Sequence, residues 1–395
     1  PADCWATASA MTLQPIEIGV TPTALGTPRQ LYAAAYLVLG LLLAVTQVVL
    51  VPVLAQMLLY TGSILYIGSH HSLSMFDEDP TTGKAVKVET VSKSDAMLFP
   101  VIGSVALLSM YTAYKLFGAF WVNILLTTYL TCVGLAALAE SLRPVLAPLL
   151  PEEMRERSTE LEFRIPLLQK AEDEPIKLSL SKVHIVAYAL GALCSVAYLA
   201  TKHWAIHNLF AVAFSLQAIS MISLGRFTVA FILLSGLFVY DIFWVFGTEV
   251  MVSVATQFQG PIKIIFPVSF DPWKQSILGL GDIVIPGILV AMCLRFDAFR
   301  HRRGEKQVLS HASSFPKPYF WRVWAAYLAS LLLTGVIMFW FKRAQPALLY
   351  LVPGCCLTLA GSSFLCGQLG EMLAYNEEDL NPPEADEQDE SKKGQ

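Results

Sequence analysis

The sequence predicts an all-α polytopic membrane protein of about nine transmembrane helices, and three observations carry that prediction. Of its 395 residues 55% are hydrophobic and only 15% charged, with a mean hydropathy of +0.56; soluble domains hold about 25% charged residues. Apolar runs recur along the chain at bilayer-spanning length, roughly 20 residues for one helix. Polar, charged stretches separate those runs. The net charge of -4 comes from acids in the tail, and no basic run points to nucleic acid.

Residues 1–30 are polar and rich in Pro and Thr, which predicts a disordered luminal N-terminus. The stretch 31–68 is apolar throughout and is expected to form one long tilted helix, or two helices broken near Pro52. Its first half also suits a signal peptide, but it has no basic n-region beyond Arg29 and no clean small-x-small cleavage site. Spans follow at 97–118 and 119–142, joined by a tight turn near Gly118. Residues 143–182 read as a charged cytosolic loop within the N-terminal membrane region 31–223. Within that region, further spans read as 183–201 and 204–223.

A second region, 224–375, holds spans at 227–247, 276–296, 319–342 and 346–370. From Asn376 to the end, 376–395, the chain is acidic and is expected to be a disordered cytosolic tail. With nine spans and the N-terminus luminal, most of the 27 lysines and arginines fall on the cytosolic side, as orientation by positive charge requires. Lys392 and Lys393 then stand third and fourth from a cytosolic C-terminus, the pattern of a dilysine retrieval signal for the endoplasmic reticulum. Of the seven cysteines, all but Cys4 lie in or beside apolar runs without metal-ligand spacing, so they read as small buried hydrophobes. No metal and no cofactor are expected.

Two of the late spans each carry a lone acid: Asp241 after Tyr240, and Asp282 after Gly279-Leu280-Gly281. A charge at the bilayer centre costs roughly 2.5–3.5 kcal/mol on insertion scales, so an intramembrane acid points to function. Asp241 lies six residues before Gly247, and Asp282 six residues after Ser276. In antiparallel helices, at 1.5 Å rise per residue, both acids fall about 9 Å from the outer ends. Matched depth is the condition for a pair. Two adjacent carboxyls cannot both ionise and so share one proton. The ionised member suits activation of water, the protonated one polarisation of a scissile carbonyl. Gly279 and Gly281 remove side chains beside Asp282, which leaves room for substrate and water or permits tight helix packing. Pro286 is expected to kink the Asp282 helix, and Pro346 opens the last span before Ala347-Leu348.

Tyr240-Asp241, Gly279-x-Gly281-Asp282 and Pro346-Ala347-Leu348, in that order in three late spans, resemble the GxGD aspartyl intramembrane proteases. The likeness covers most of residues 95–375 and is closest to the signal peptide peptidase branch, which is related to presenilins. It implies that Asp241 and Asp282 are the catalytic pair and that Tyr240, Gly279, Gly281, Pro346, Ala347 and Leu348 support them. It also implies an endoplasmic-reticulum protease acting on type II-oriented transmembrane segments, chiefly remnant signal peptides. Homo-oligomers and quality-control partners in the same bilayer are implied as well, but no obligatory subunit. Presenilins differ in a long insert between the two aspartate spans, where this chain has only 248–275, and in a second motif proline where Leu349 stands here. The β-branched and aromatic residues of 252–258 and 261–270 suggest a segment that pairs with unwound substrate as an added strand. An ordinary luminal loop with interfacial aromatics is the plainer alternative. A proton-coupled transporter also uses intramembrane carboxylates, but no inverted repeat is visible. A zinc protease would need HExxH, and His203 and His207 have no Glu between them, so they are expected at the membrane surface.

Overall fold

The computed structural model describes residues 28–76, 90–151, 158–163, 176–302, 314–341 and 345–377. The stretch 31–68 divides into α1 (Pro28–Val45) and α2 (Val53–His71), with Pro52 in extended conformation at the break. The third helix, α3 (Lys93–Leu146), opens on a capping box in which Asp95 N–H donates to Ser92 Oγ and Ser92 N–H to Asp95 Oδ2, both at 3.2 Å. It breaks at Gly118, whose φ of 76° suits only glycine. Its two halves are the spans expected at 97–118 and 119–142. Residues 143–182 are more than a loop: β1 (Ser158–Phe163) and β2 (Ile176–Ser181) pair antiparallel. The alternation Ile176-Lys177-Leu178-Ser179-Leu180 is the period-two signal for that strand.

Next come α4 (Lys182–Thr201), α5 (Trp204–Met221), α6 (Phe227–Gly247) and the short α7 (Val250–Gln257). A hairpin of β3 (Lys263–Phe270) and β4 (Trp273–Gly279) leads directly into α8 (Leu280–Arg302). The chain closes with α9 (Pro318–Phe341), α10 (Leu348–Leu365) and α11 (Leu369–Ala374). The first half of α3 lies against α6, with Pro100 beside Gly236 and Ser104 accepting from Trp244 Nε1 at 3.0 Å. Its second half lies against α5, with Gly134 on Phe210 and Ser141 accepting from Gln217 Nε2 at 3.4 Å. Because α5 and α6 are joined only by 222–226, the chain reverses at Gly118.

The span expected at 276–296 is shifted. Residues 276–279 belong to β4, and the helix starts at Leu280 and runs on to Arg302. Apolarity alone does not separate a strand from a buried helix end; pairing with β3 decides it here.

The core centres on α8, packed by α2, α5, α9 and α10. Residues 288–294 and Phe296 are all buried, so this helix shows almost no surface to lipid there. In lipid, burial of apolar side chains does not drive helices together; close backbone approach and polar bonds do. A Cβ on Gly287 would meet Ile219 Cδ1 at 2.7 Å and Leu65 Cδ2 at 2.8 Å, so glycine sets the α8–α2–α5 approach. Trp324 Nε1 donates to the Gly62 carbonyl at 3.1 Å and ties α9 to α2. The outward faces expose Val101, Phe120, Trp121, Leu193, Phe243 and Phe339, apolar surface of the kind a bilayer covers. By length and composition, six described helical stretches suffice to cross a membrane; the longest, Lys93–Leu149, has 57 residues and holds the break at Gly118.

The tail does not start at Asn376 as expected. Asn376 bridges to Arg226, and Glu377 is fully buried. Its carboxylate takes Arg295 Nε at 2.7 Å and the Ser223 hydroxyl, and its N–H donates to the Gly225 carbonyl at 2.8 Å. The acidic composition of 376–395 hid one residue whose charge has a buried partner. Lys392, Lys393 and the segment 1–27 lie outside the described residues.

Candidate active site

Asp241 sits on α6 facing inward, 4% exposed in an apolar helix. One carboxyl oxygen, Oδ2, is buried with no protein partner. The backbone N–H of Leu348 is directed at the same carboxyl. Leu348 is the first residue of α10, and the first N–H groups of a helix have no intrahelical acceptor. Ala347 caps that helix, its carbonyl accepting from Tyr350 and Leu351 N–H at 3.1 Å each. Pro346, Ala347 and Leu348 are all buried. The contribution of the Pro346-Ala347-Leu348 turn is thus a helix N-terminus aimed at Asp241.

Asp282 lies in the first turn of α8, half-buried, and its carboxyl feels the charge of Asp241 on α6. Each acid thus stands at a helix N-terminus, Asp282 at that of α8 and Asp241 facing that of α10, and each terminus supplies partial positive charge to an anion.

The glycines leave space and do not pack. A Cβ on Gly279 would meet only Asp282 Oδ2, at 3.5 Å, and one on Gly281 only Ile285 Cδ1, at 3.9 Å. No neighbouring helix presses on either, in contrast to Gly287. The Tyr240 ring lies against Gly103 of α3 and 6.3 Å from the ring of Trp244, and its phenol feels the charge of Asp241.

Residues that sequence reasoning left without a role complete the site. Asn208 on α5 grips β3 from the side, donating from Nδ2 to the Ile265 carbonyl at 2.7 Å and accepting Ile265 N–H at 2.8 Å. His207 is buried within the protein: Nε2 meets the Lys263 carbonyl and Nδ1 the Tyr198 hydroxyl, both at 3.0 Å. Gln56 Nε2 donates to the Pro267 carbonyl at 3.4 Å. One edge of β3 is thus covered by α5 and α2, and the other pairs with β4. The outer edge of β4 carries the backbone N–H and C=O of Ile277, because alternate residues of an antiparallel strand face opposite ways. Tyr327 on α9 donates to the Asp282 carbonyl at 3.2 Å.

Among the described residues no group of three or more His, Cys, Asp or Glu is placed to hold a metal ion. The described cysteines are free thiols; Cys293 and Cys355 are buried as expected, but Cys132 and Cys366 are exposed.

Residues 83–379 match the family model described as signal peptide peptidase. The chain belongs to the signal peptide peptidase family. It is 39% identical over 303 residues to mouse signal peptide peptidase, covering 75% of this chain and 77% of that protein. Human signal peptide peptidase is 38% identical over 311 residues, 78% of each chain. A probable intramembrane protease of Schizosaccharomyces pombe is 30% identical over 340 residues, 86% of this chain and 98% of that one. The matched segment includes both acids, the glycines, the β3–β4 hairpin, Pro346-Ala347-Leu348 and the docked Glu377. The chain is therefore a multi-pass intramembrane protease.

Proposed function

We propose that this protease is an aspartyl endopeptidase in which Asp241 and Asp282 share one proton. The observation that carries this reading is that the charge of Asp241 on α6 reaches the Asp282 carboxyl on α8, with one Asp241 oxygen unpartnered and each acid beside a helix N-terminus. The ionised carboxyl takes a proton from water as the water oxygen attacks the scissile carbonyl carbon. The protonated carboxyl gives its proton to the carbonyl oxygen, which yields a neutral tetrahedral diol. Collapse breaks the C–N bond, with proton transfer to the leaving amine. The open space beside Gly279 and Gly281 receives the substrate backbone.

A helical substrate must unwind before its carbonyl is accessible. The outer edge of β4 suits the unwound strand: it ends at Gly279, three residues from Asp282, and it is anchored through β3 by Asn208, His207 and Gln56. Backbone pairing at such an edge is indifferent to side chains, which fits a protease acting on many sequences.

The substrates we propose are type II-oriented transmembrane segments, chiefly remnant signal peptides, in the endoplasmic reticulum membrane, with the N-terminus luminal and the C-terminus cytosolic. The names of the mouse and human relatives, the positive-charge bias and Lys392-Lys393 support this. The test is reconstitution of purified protein in liposomes with a helical signal peptide in type II orientation and the same segment reversed. Cleavage of the first and not the second, with no added subunit, is expected. Cleavage of both alike contradicts the orientation; cleavage only after another protein is added contradicts self-sufficiency.

A further inference from the structure

In an α-helix the carbonyl of residue i accepts from the N–H of residue i+4. For Asp282 that residue is Pro286, which has no N–H. The acid-bearing turn of α8 is thus left with an open backbone carbonyl by the sequence itself, inside a bundle where an unmet carbonyl is costly. Tyr327 closes it from another helix. Its ring is fully buried on α9, and its hydroxyl donates to Asp282 O at 3.2 Å. The same phenol feels the charge of the Asp282 carboxyl, so it lies beside both the backbone and the side chain of this residue.

We infer that Tyr327 is a positioning residue for the acid pair, replacing the hydrogen bond that Pro286 withholds and thereby setting how the first turn of α8 presents Asp282 to Asp241. The inference rests on the two-acid reading above. The proline makes the arrangement consequential. With an ordinary residue at 286, the turn would be held by its own helix, and a tyrosine hydroxyl on α9 would add little. With proline there, the orientation of Asp282 is fixed from α9, so the spacing of the two carboxyls depends on how α9 packs against α8. Among the described residues, Tyr327 is the residue of α9 whose side chain bonds that turn.

A kinetic double-mutant cycle tests this on the purified full chain, with Tyr327→Phe and Pro286→Ala and with Asp241→Ala and Asp282→Ala as blanks. Tyr327→Phe is expected to lower kcat about tenfold with KM little changed, the pattern of an interaction that matters in the transition state, and to displace the pH–rate profile. Pro286→Ala supplies Asp282 with a helical N–H, so in that background Tyr327→Phe is expected to be nearly silent in kcat. An equal loss in both backgrounds, or an unchanged kcat in Tyr327→Phe, overturns the inference. If Pro286→Ala does not fold, the pH–rate profile of Tyr327→Phe decides alone: a displaced limb supports positioning, and a profile coincident with wild type overturns it. Residual cleavage by either aspartate variant defeats the two-acid reading instead, so the two failures are distinguishable.

Discussion

At the scale of single residues, the site is defined as much by missing side chains as by the acids. Gly279→Ala adds a methyl that touches nothing closer than 3.5 Å, the Asp282 carboxyl oxygen. Its stability is therefore expected to change by no more than about 0.5 kcal/mol, as at uncrowded positions, while kcat/KM falls at least about tenfold because the methyl takes the place of substrate. Thermal unfolding and steady-state cleavage on the same preparation check this; equal losses in both would mean that the glycine packs the fold. The two acids were legible in the sequence because an unpaired carboxyl in an apolar run has few structural explanations. Tyr327 was not legible, since its partner lies 45 positions away on another helix. Half of its signal was nevertheless present, in the proline four residues after Asp282.

At the scale of elements, the β3–β4 hairpin separates what composition can tell from what pairing decides. The β-branched and aromatic residues of 261–270 suggested a strand and form β3, those of 252–258 suggested the same but fall mostly in α7, and the apolar run from Ser276 looked like the start of a helix. Only the register, with Ile265 opposite Ile277 and Lys263 opposite Gly279, assigns 276–279 to the sheet. That register makes a prediction. The N–H of Ile277 points away from β3, so Ile277→Pro removes a donor from the free edge without breaking the hairpin ladder. Cleavage of a helical substrate is expected to fall about tenfold or more, the worth of one lost hydrogen bond in a desolvated site, with thermal stability retained. Unchanged cleavage would remove β4 from substrate binding. The split of 31–68 into two helices was foreseeable from Pro52. The β1–β2 hairpin is hard to read from sequence because the charges of 143–182 give the segment a loop-like composition around the short alternation of 176–180.

At the scale of the whole molecule, the protein hides charge where a bilayer does not tolerate it. Arg295, 2% exposed, and Glu377, fully buried, meet at 2.7 Å and join α8 to the chain just past α11. Through Ser223 and Gly225 the same carboxylate and its N–H reach the start of α6. The two acid-bearing helices are thereby joined at the ends far from the hairpin. Asp297 accepts the N–H groups of Phe320 at 2.9 Å and Tyr319 at 3.3 Å, and so caps α9. Removing one member of a buried pair leaves the other charge stranded, so Glu377→Ala is expected to destabilise the protein by about 3–5 kcal/mol, read as a lowered unfolding temperature in detergent. A silent Glu377→Ala would mean that the docked tail contributes nothing to the bundle. Composition made the membrane class plain and motif order the family, but a tail acid with a partner 82 positions earlier leaves no local trace in the sequence.

The most direct test of the central claim is cleavage of a helical signal peptide by the purified protein, comparing wild type with Asp241→Ala and Asp282→Ala. Cleavage by wild type, with none by either variant and both variants folded, is the predicted result. Cleavage retained by either variant contradicts the two-acid mechanism.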